Sequence, residues 1–269
     1  MTGSVPEPAT RSMTTFPPGT FAPAPRRAGA VRMVRAAGGL ELKMVLRNGE
    51  QLLLALIIPL AVLVGMTTVS VISLPEPRID AVAPGVLALA LMSTAFTSQA
   101  ITTGFDRRYG VLHRLSAAGV GRGLLLAGKC AATTVVVVGQ LVVLAVVAVL
   151  LGWRPAGNHL WALLLIVLGV AAFLGVALLL GGTLRAEAVL ALANLLWLVM
   201  VAVGGVVIPL DRAPGWLRVI GELTPAGALS DGLRAVWQHG GAPTVGQLAV
   251  LAGWIVIGWA GTVRFFRWH

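Results

Sequence analysis

Residues 123–130 read GLLLAGKC, and the reading of this stretch decides the fold. The phosphate-binding loop of nucleotide hydrolases has the form G-x-x-x-x-G-K-[ST]. Gly123, Gly128 and Lys129 fit it, and Cys130 stands where its hydroxyl residue should be. That loop works because its glycines let backbone N–H groups wrap phosphates between a strand and a helix. Residues 124–127 are instead four consecutive apolar helix formers, and a charged stretch rather than a buried strand precedes Gly123. No apolar run ending in Asp follows to hold magnesium, and Cys130 is a poor ligand for that ion. An uncharged window, 130–153, begins directly after Lys129. The stretch therefore reads as the start of a membrane helix. Lys129 is expected to snorkel toward the inner headgroups, so that Arg122 and Lys129 mark the cytoplasmic boundary.

The rest of the chain agrees. Of its 269 residues 57% are hydrophobic and 11% charged, where a soluble domain carries about 25% charged residues. The mean hydropathy is +0.90. Charges divide the chain into six long uncharged windows: 51–75, 81–105, 130–153, 155–184, 188–210 and 235–263. A membrane helix needs roughly 20 apolar residues, and each window supplies them. The expected fold is an all-α polytopic membrane protein, with six transmembrane helices at about 52–74, 82–105, 126–151, 160–184, 188–210 and 246–264. These form one domain, 51–264, behind an interfacial helix at 29–50 and a disordered cytoplasmic tail at 1–28. The tail holds no apolar run, and Pro17, Pro18, Pro23 and Pro25 oppose a regular helix. The first span is expected to act as an uncleaved signal anchor.

Orientation follows from Lys and Arg. Fifteen of them fall on one side of the six-span arrangement, from Arg11 through Arg107, Arg108, Arg114, Arg122 and Lys129 to Arg264 and Arg267. Arg78, Arg154, Arg212, Arg218 and Arg234 fall on the other. Both termini are therefore expected in the cytoplasm. Topology accounts for the net charge of +10, and no nucleic-acid partner is expected. The single cysteine excludes an intrachain disulfide, and the four histidines lack ligand spacing, so neither points to a metal.

Residues 29–50 alternate apolar Val31, Val34, Leu40, Met44 and Val45 with Arg32, Arg35, Lys43 and Arg47. They read as an amphipathic helix on the inner membrane surface, broken at Gly38-Gly39. Pro59 lies inside the first span, where neighbouring helices can satisfy the freed carbonyl. In the second span Ser93, Thr94, Thr97, Ser98 and Thr102 fall within about half the helical circumference. Such hydroxyls can glue helices together or line a translocation path. No charged residue lies at the middle of any span, which argues against an ion-coupled carrier and against acid–base catalysis in the membrane. Spans four and five, joined by Arg185, Ala186 and Glu187, should pack as an antiparallel hairpin.

Two connections are distinctive. The inner one, 106–123, reads DRRYGVLHRLSAAGVGRG and turns from charged to amphipathic. The outer one, 209–244, holds Pro209, Pro214, Pro225 and Pro243 and two stretches, GWLRVIGEL and LSDGLRAVW, too short to span. Their apolar residues predict a re-entrant helical segment that dips into the outer membrane face between spans five and six. Asp231 and Arg234 sit at i, i+3 and are expected to form a local ion pair.

In this order the segments resemble the ABC type-2 transporter permeases, the membrane subunits of bacterial drug, antibiotic and polysaccharide exporters. The resemblance covers roughly 35–265. It rests on LRNGEQLLLALIIPLAVL, on DRRYGVLHRLSAAGVGRGLLLAGK, and on GGVVIPLDRAPGWLRVIGELTPAGALSDGLRAVW. In the last, Pro209, Pro214, Trp216, Pro225, Asp231, Gly232 and Arg234 carry the likeness, and Asp211 falls within the same outer re-entrant segment. The chain departs from the pattern where Arg108 replaces a glutamate before Gly110, and where Ala118-Gly119-Val120 replaces a proline.

The resemblance implies a non-enzymatic permease of a bacterial inner membrane that exports a lipophilic or amphiphilic molecule. It implies two copies of a separate ABC ATPase subunit carrying ATP and Mg, with no cofactor in this chain. It implies a second permease subunit, in a homodimer or heterodimer. Asp106, Arg107, Arg108, Gly110, Leu112, Arg114 and Leu115 would form the ATPase-coupling loop. The alternative is a non-transporting scaffold or immunity protein, or a channel-like transporter, of the same fold.

Overall fold

The computed structural model describes residues 17, 29–69, 76–117, 119–207, 209, 210 and 214–266. The tail 1–28, apart from Pro17, and Asp211 lie outside the described residues. Among those described, every regular element is helical.

Helix α1, Ala30–Arg47, runs through Gly38-Gly39 without the expected break. A glycine inside a helix costs roughly 1 kcal/mol against alanine, and close packing offsets that cost here. A Cβ on Gly38 would lie 3.2 Å from Ala131 Cβ, and one on Gly128 would lie 2.9 Å from Ala37 Cβ. Small residues on both helices let the backbones approach.

Asn48 alone separates α1 from α2, Gly49–Thr68, which contains Pro59. Next comes a rod of 31 residues, Arg78–Arg108. It is made of α3, Arg78–Met92, a π-helical segment, Ser93–Ser98, and α4, Gln99–Arg108. The short α5 is Val111–Ala117, and α6 is Arg122–Leu150. Then follow α7, His159–Thr183, α8, Ala186–Val203, α9, Gly215–Glu222, α10, Pro225–Trp237, and α11, Val245–Phe265.

Among the described residues five helices are long and apolar enough to cross a membrane: the α3–α4 rod, α6, α7, α8 and α11. The stretch expected as the first span gives α2 with a shorter apolar run, Ala55–Thr68, and continues into residues outside the described set. The rod is the centre of the bundle. Of its most apolar window 89% is buried, against 28% for α6 and 17% for α11, whose outer faces are left apolar for lipid or a partner.

Contacts sort the helix ends into two sets. At the basic end, Arg107 donates to the Leu184 carbonyl and Arg108 pairs with Glu187, so α4 meets the α7–α8 turn. Leu112, Leu125 and Phe266 bury together there, bringing in α5, α6 and the end of α11. At the opposite end the rings of Trp153 and Trp237 pack edge to face, 5.3 Å apart, and Ala156 N–H donates to the Trp237 carbonyl at 2.9 Å.

Helix α8 stops at Val203, short of the expected 210. Gly204 caps it, and Gly205 takes φ +61°, a left-handed conformation that glycine adopts without strain. The bend admits α10, whose Ser230 hydroxyl donates to the Gly204 carbonyl at 2.8 Å. Helix α10 begins where Thr224 accepts from Gly227 N–H at 3.0 Å, with Pro225 in the first turn. Thr244 and Gln247 form a capping box that starts α11.

Candidate functional site

The run Asp106-Arg107-Arg108 ends α4, and each member reaches a different element. Asp106 Oδ2 accepts from Lys129 Nζ of α6 at 2.6 Å. Arg107 and Arg108 hold Leu184 and Glu187, as above. Lys129 also donates to the Glu41 carboxylate of α1. Its side chain is 1% exposed, so it does not snorkel to the headgroups as expected. The reason lies in α1, which covers the first turns of α6 and closes the route outward. Two carboxylates then replace the hydration that burial removes.

Gly110 turns the chain after α4 with φ +69°. In α5, Leu112 is fully buried and Leu115 packs against the same apolar cluster, so these two anchor the loop. Arg114 donates to the Tyr109 carbonyl at 3.2 Å. Tyr109, His113 and Arg114 are exposed and form the face this loop offers outward. Neither Tyr109 nor His113 stands out in the sequence; their exposure follows from which side of α5 the two leucines bury.

The hydroxyl stripe of the second span divides in two. Ser93, Thr97 and Ser98 line a cavity of about 320 Å³ with Ala55 and Pro59 of α2 and Asn194 and Trp197 of α8. Trp197 Nε1 donates to Ser93 Oγ at 2.9 Å, and Ser93 donates to the Leu89 carbonyl at 2.8 Å. The Thr97 hydroxyl is buried, with no hydrogen-bond partner among the described residues. Thr94 turns the other way and donates to Gln140 Oε1 of α6 at 2.7 Å, while Gln140 donates to the Ala55 carbonyl. One step further along, Thr133 donates to Gln99 Oε1 at 2.7 Å and Gln99 donates to Thr103 at 3.0 Å. Thr102 borders a small recess on that side, together with Thr94 and Ser98. The π-helical segment carries this division, since its extra residue re-aims the side chains around it.

Thus Thr94–Gln140, Gln99–Thr133 and Asp106–Lys129 are successive polar rungs between the rod and α6. Gln99 and Gln140 carry no charge, so the absence of charge at mid-span does not single them out. A neutral amide in an apolar run also needs a partner at membrane depth, and Gln99 and Gln140 were visible on that ground.

At the opposite end, Arg234 is buried at 3% exposure. It donates to the carbonyls of Gly205 at 2.5 Å, Val206 at 3.0 Å and Ala81 at 3.3 Å. Asp231 is 3.9 Å from it, so the expected ion pair is a loose contact beside a stronger role. The guanidinium closes the broken end of α8 onto α3, and Gly85 leaves room for it. Pro209 and Pro225 are buried, whereas Pro214 and Trp216 are exposed on and before α9.

A bundle of long apolar helices with polar rungs inside, a cavity between helices and a cluster of ion pairs at one end defines a multi-pass membrane protein. The sequence matches the ABC-2 type transporter family over residues 34–237, and the chain belongs to that family. It is a membrane transport subunit of the ABC type, and this family works with an ABC ATPase partner. A comparison with curated proteins returns no match.

Proposed function

We propose that the chain is the permease of an ABC exporter in a bacterial inner membrane, moving a lipophilic or amphiphilic molecule outward. The cavity beside the π-helical segment carries this reading. Its walls are apolar, with isolated polar groups at Ser93, Thr97, Ser98, Asn194 and Trp197, and no charged residue lines it. Such a surface suits a drug, an antibiotic, or a lipid-like or glycan-bearing amphiphile better than an ion. Asn194 is exposed at mid-length of α8, where lipid would leave its amide unsatisfied. A second permease subunit, identical or related, would cover it and complete the path.

In this reading α2 is the first of six spans, and both termini are cytoplasmic, as the excess of Lys and Arg at the basic end requires. Two ATPase subunits supply ATP and Mg and dock on the basic end. Tyr109, His113 and Arg114 meet them, while Asp106, Arg107, Arg108, Leu112 and Leu115 pass the displacement into the bundle. The α9–α10 segment, with Pro209, Pro214, Trp216, Pro225, Asp231 and Arg234, closes the path from outside as a re-entrant element.

The test is efflux of a panel of fluorescent amphiphiles from cells expressing the chain with its ATPase. Gly110→Pro forces φ to about −65° where the turn needs a positive value, and Leu112→Asp places a carboxylate in the apolar anchor. Both variants should insert and lose efflux. Normal efflux by both would refute the coupling role of the loop. Thr97→Val should change the order of preference among the amphiphiles without abolishing efflux.

A further inference from the structure

The ion pairs at the basic end are not independent, because Lys129 is shared by two of them. Its ammonium donates to Asp106 at 2.6 Å and to Glu41. Lys129 belongs to α6, Asp106 to the end of α4 and Glu41 to α1. Among the described residues no hydrogen bond joins Glu41 to Asp106, so Lys129 is their connection. Side-chain exposure is 1% for Lys129, 10% for Glu41 and 18% for Asp106.

Stability alone is a poor reason for such a cluster. Well-packed apolar residues commonly serve as well as a buried ion pair, whereas ions fix one arrangement against others. The position of the cluster indicates what is being fixed. Three residues after Asp106 the chain reaches Tyr109, and the turn at Gly110 leads into α5. From Glu41, α1 continues to Arg47 and through Asn48 into α2, whose Ala55 and Pro59 wall the cavity. At 29 residues, α6 is about 44 Å long, beyond the ~30 Å hydrocarbon core. Its first turns form a fixed post at the basic end, against which α1 and α4 both lean.

We propose that Lys129 is a positioning residue that couples the α4–α5 loop to α1. A displacement of the loop acts on Asp106, passes through the Lys129 ammonium to Glu41, and shifts α1 and the start of α2 beside the cavity. The purpose of this linkage rests on the transport reading above; its existence does not.

The test is hydrogen exchange on the purified full-length chain in lipid nanodiscs, without ATPase or substrate. Three segments are read: α1, residues 109–117, and α11 as control. Glu41→Gln should speed exchange about tenfold in 109–117, a segment to which Glu41 makes no hydrogen bond among the described residues, the size expected for one lost charged hydrogen bond. Asp106→Asn should do the same in α1. Both crosswise effects should vanish when Lys129→Met is added, and Lys129→Arg should keep both segments near the parent rate. Helix α11 should not respond.

If each carboxylate variant loosens only its own element, or if the crosswise effects persist with Lys129→Met, the linkage is refuted. Should Lys129→Met fail to fold, the Glu41→Gln/Asp106→Asn double variant decides. Coupling through one lysine makes its effects non-additive, and additivity overturns the proposal. Because no transport is measured, failure here leaves the exporter reading standing. Failure of efflux likewise leaves this linkage standing.

Discussion

The two glycines of GLLLAGKC show how one residue type carries different constraints a few positions apart. A Cβ at Gly123 would meet nothing within 4 Å, whereas one at Gly128 would press on Ala37. Gly128→Leu should therefore lift α1 off α6 and speed tryptic cleavage at Arg35 and Lys43, while Gly123→Leu should leave the digest unchanged. Arg234 is the strongest single polar residue at the opposite end. Arg234→Ala removes three bonds to buried carbonyls and should destabilise the protein by about 3–5 kcal/mol, read as a lower thermal unfolding midpoint in detergent. Arg234→Lys should recover little, because a single ammonium cannot fork across carbonyls on α3 and beyond α8. That Arg234 is buried could not be read from DGLRA. Its acceptors are backbone atoms of residues 81, 205 and 206, which carry no sequence signal.

Among the elements, the α3–α4 rod sets the register of the rest. Its π-helical segment lets Thr94 meet Gln140 while Asp106 still meets Lys129. Deleting Ile101, within the regular helix α4, would turn Asp106 by about 100° relative to Gln99 and Thr94. The three rungs to α6 could then not coexist. The variant should insert but lose efflux and melt at a lower temperature, whereas Thr97→Val, which removes an unbonded hydroxyl, should melt as the parent does. The hydroxyl stripe itself was legible in the sequence as a helical periodicity. Its division into two faces was not, because a regular 3.6-residue wheel has no place for the extra residue of a π turn.

For the molecule as a whole, the basic end and the α9–α10 end should lie on opposite sides of the membrane. With Cys130→Ser as background, Arg114→Cys should react with an impermeant maleimide only in inside-out vesicles, and Trp216→Cys only in right-side-out ones. Labelling of both from one side would overturn the proposed orientation. At this scale most of the outcome was already present in composition. Long apolar windows separated by charge determine that the chain is helical and membrane-embedded, because a backbone in hydrocarbon must satisfy its own hydrogen bonds. The order of motifs along the chain determined the family. The tertiary structure alone decided that α1 is unbroken, that Lys129 is buried, and that Leu112 and Leu115 anchor a loop whose exposed face is Tyr109, His113 and Arg114. The physical reason is distance along the chain. Glu41, Asp106 and Lys129 are 88 and 23 residues apart in the pairs they form, and only helix packing reveals that a residue read as facing headgroups faces two carboxylates instead.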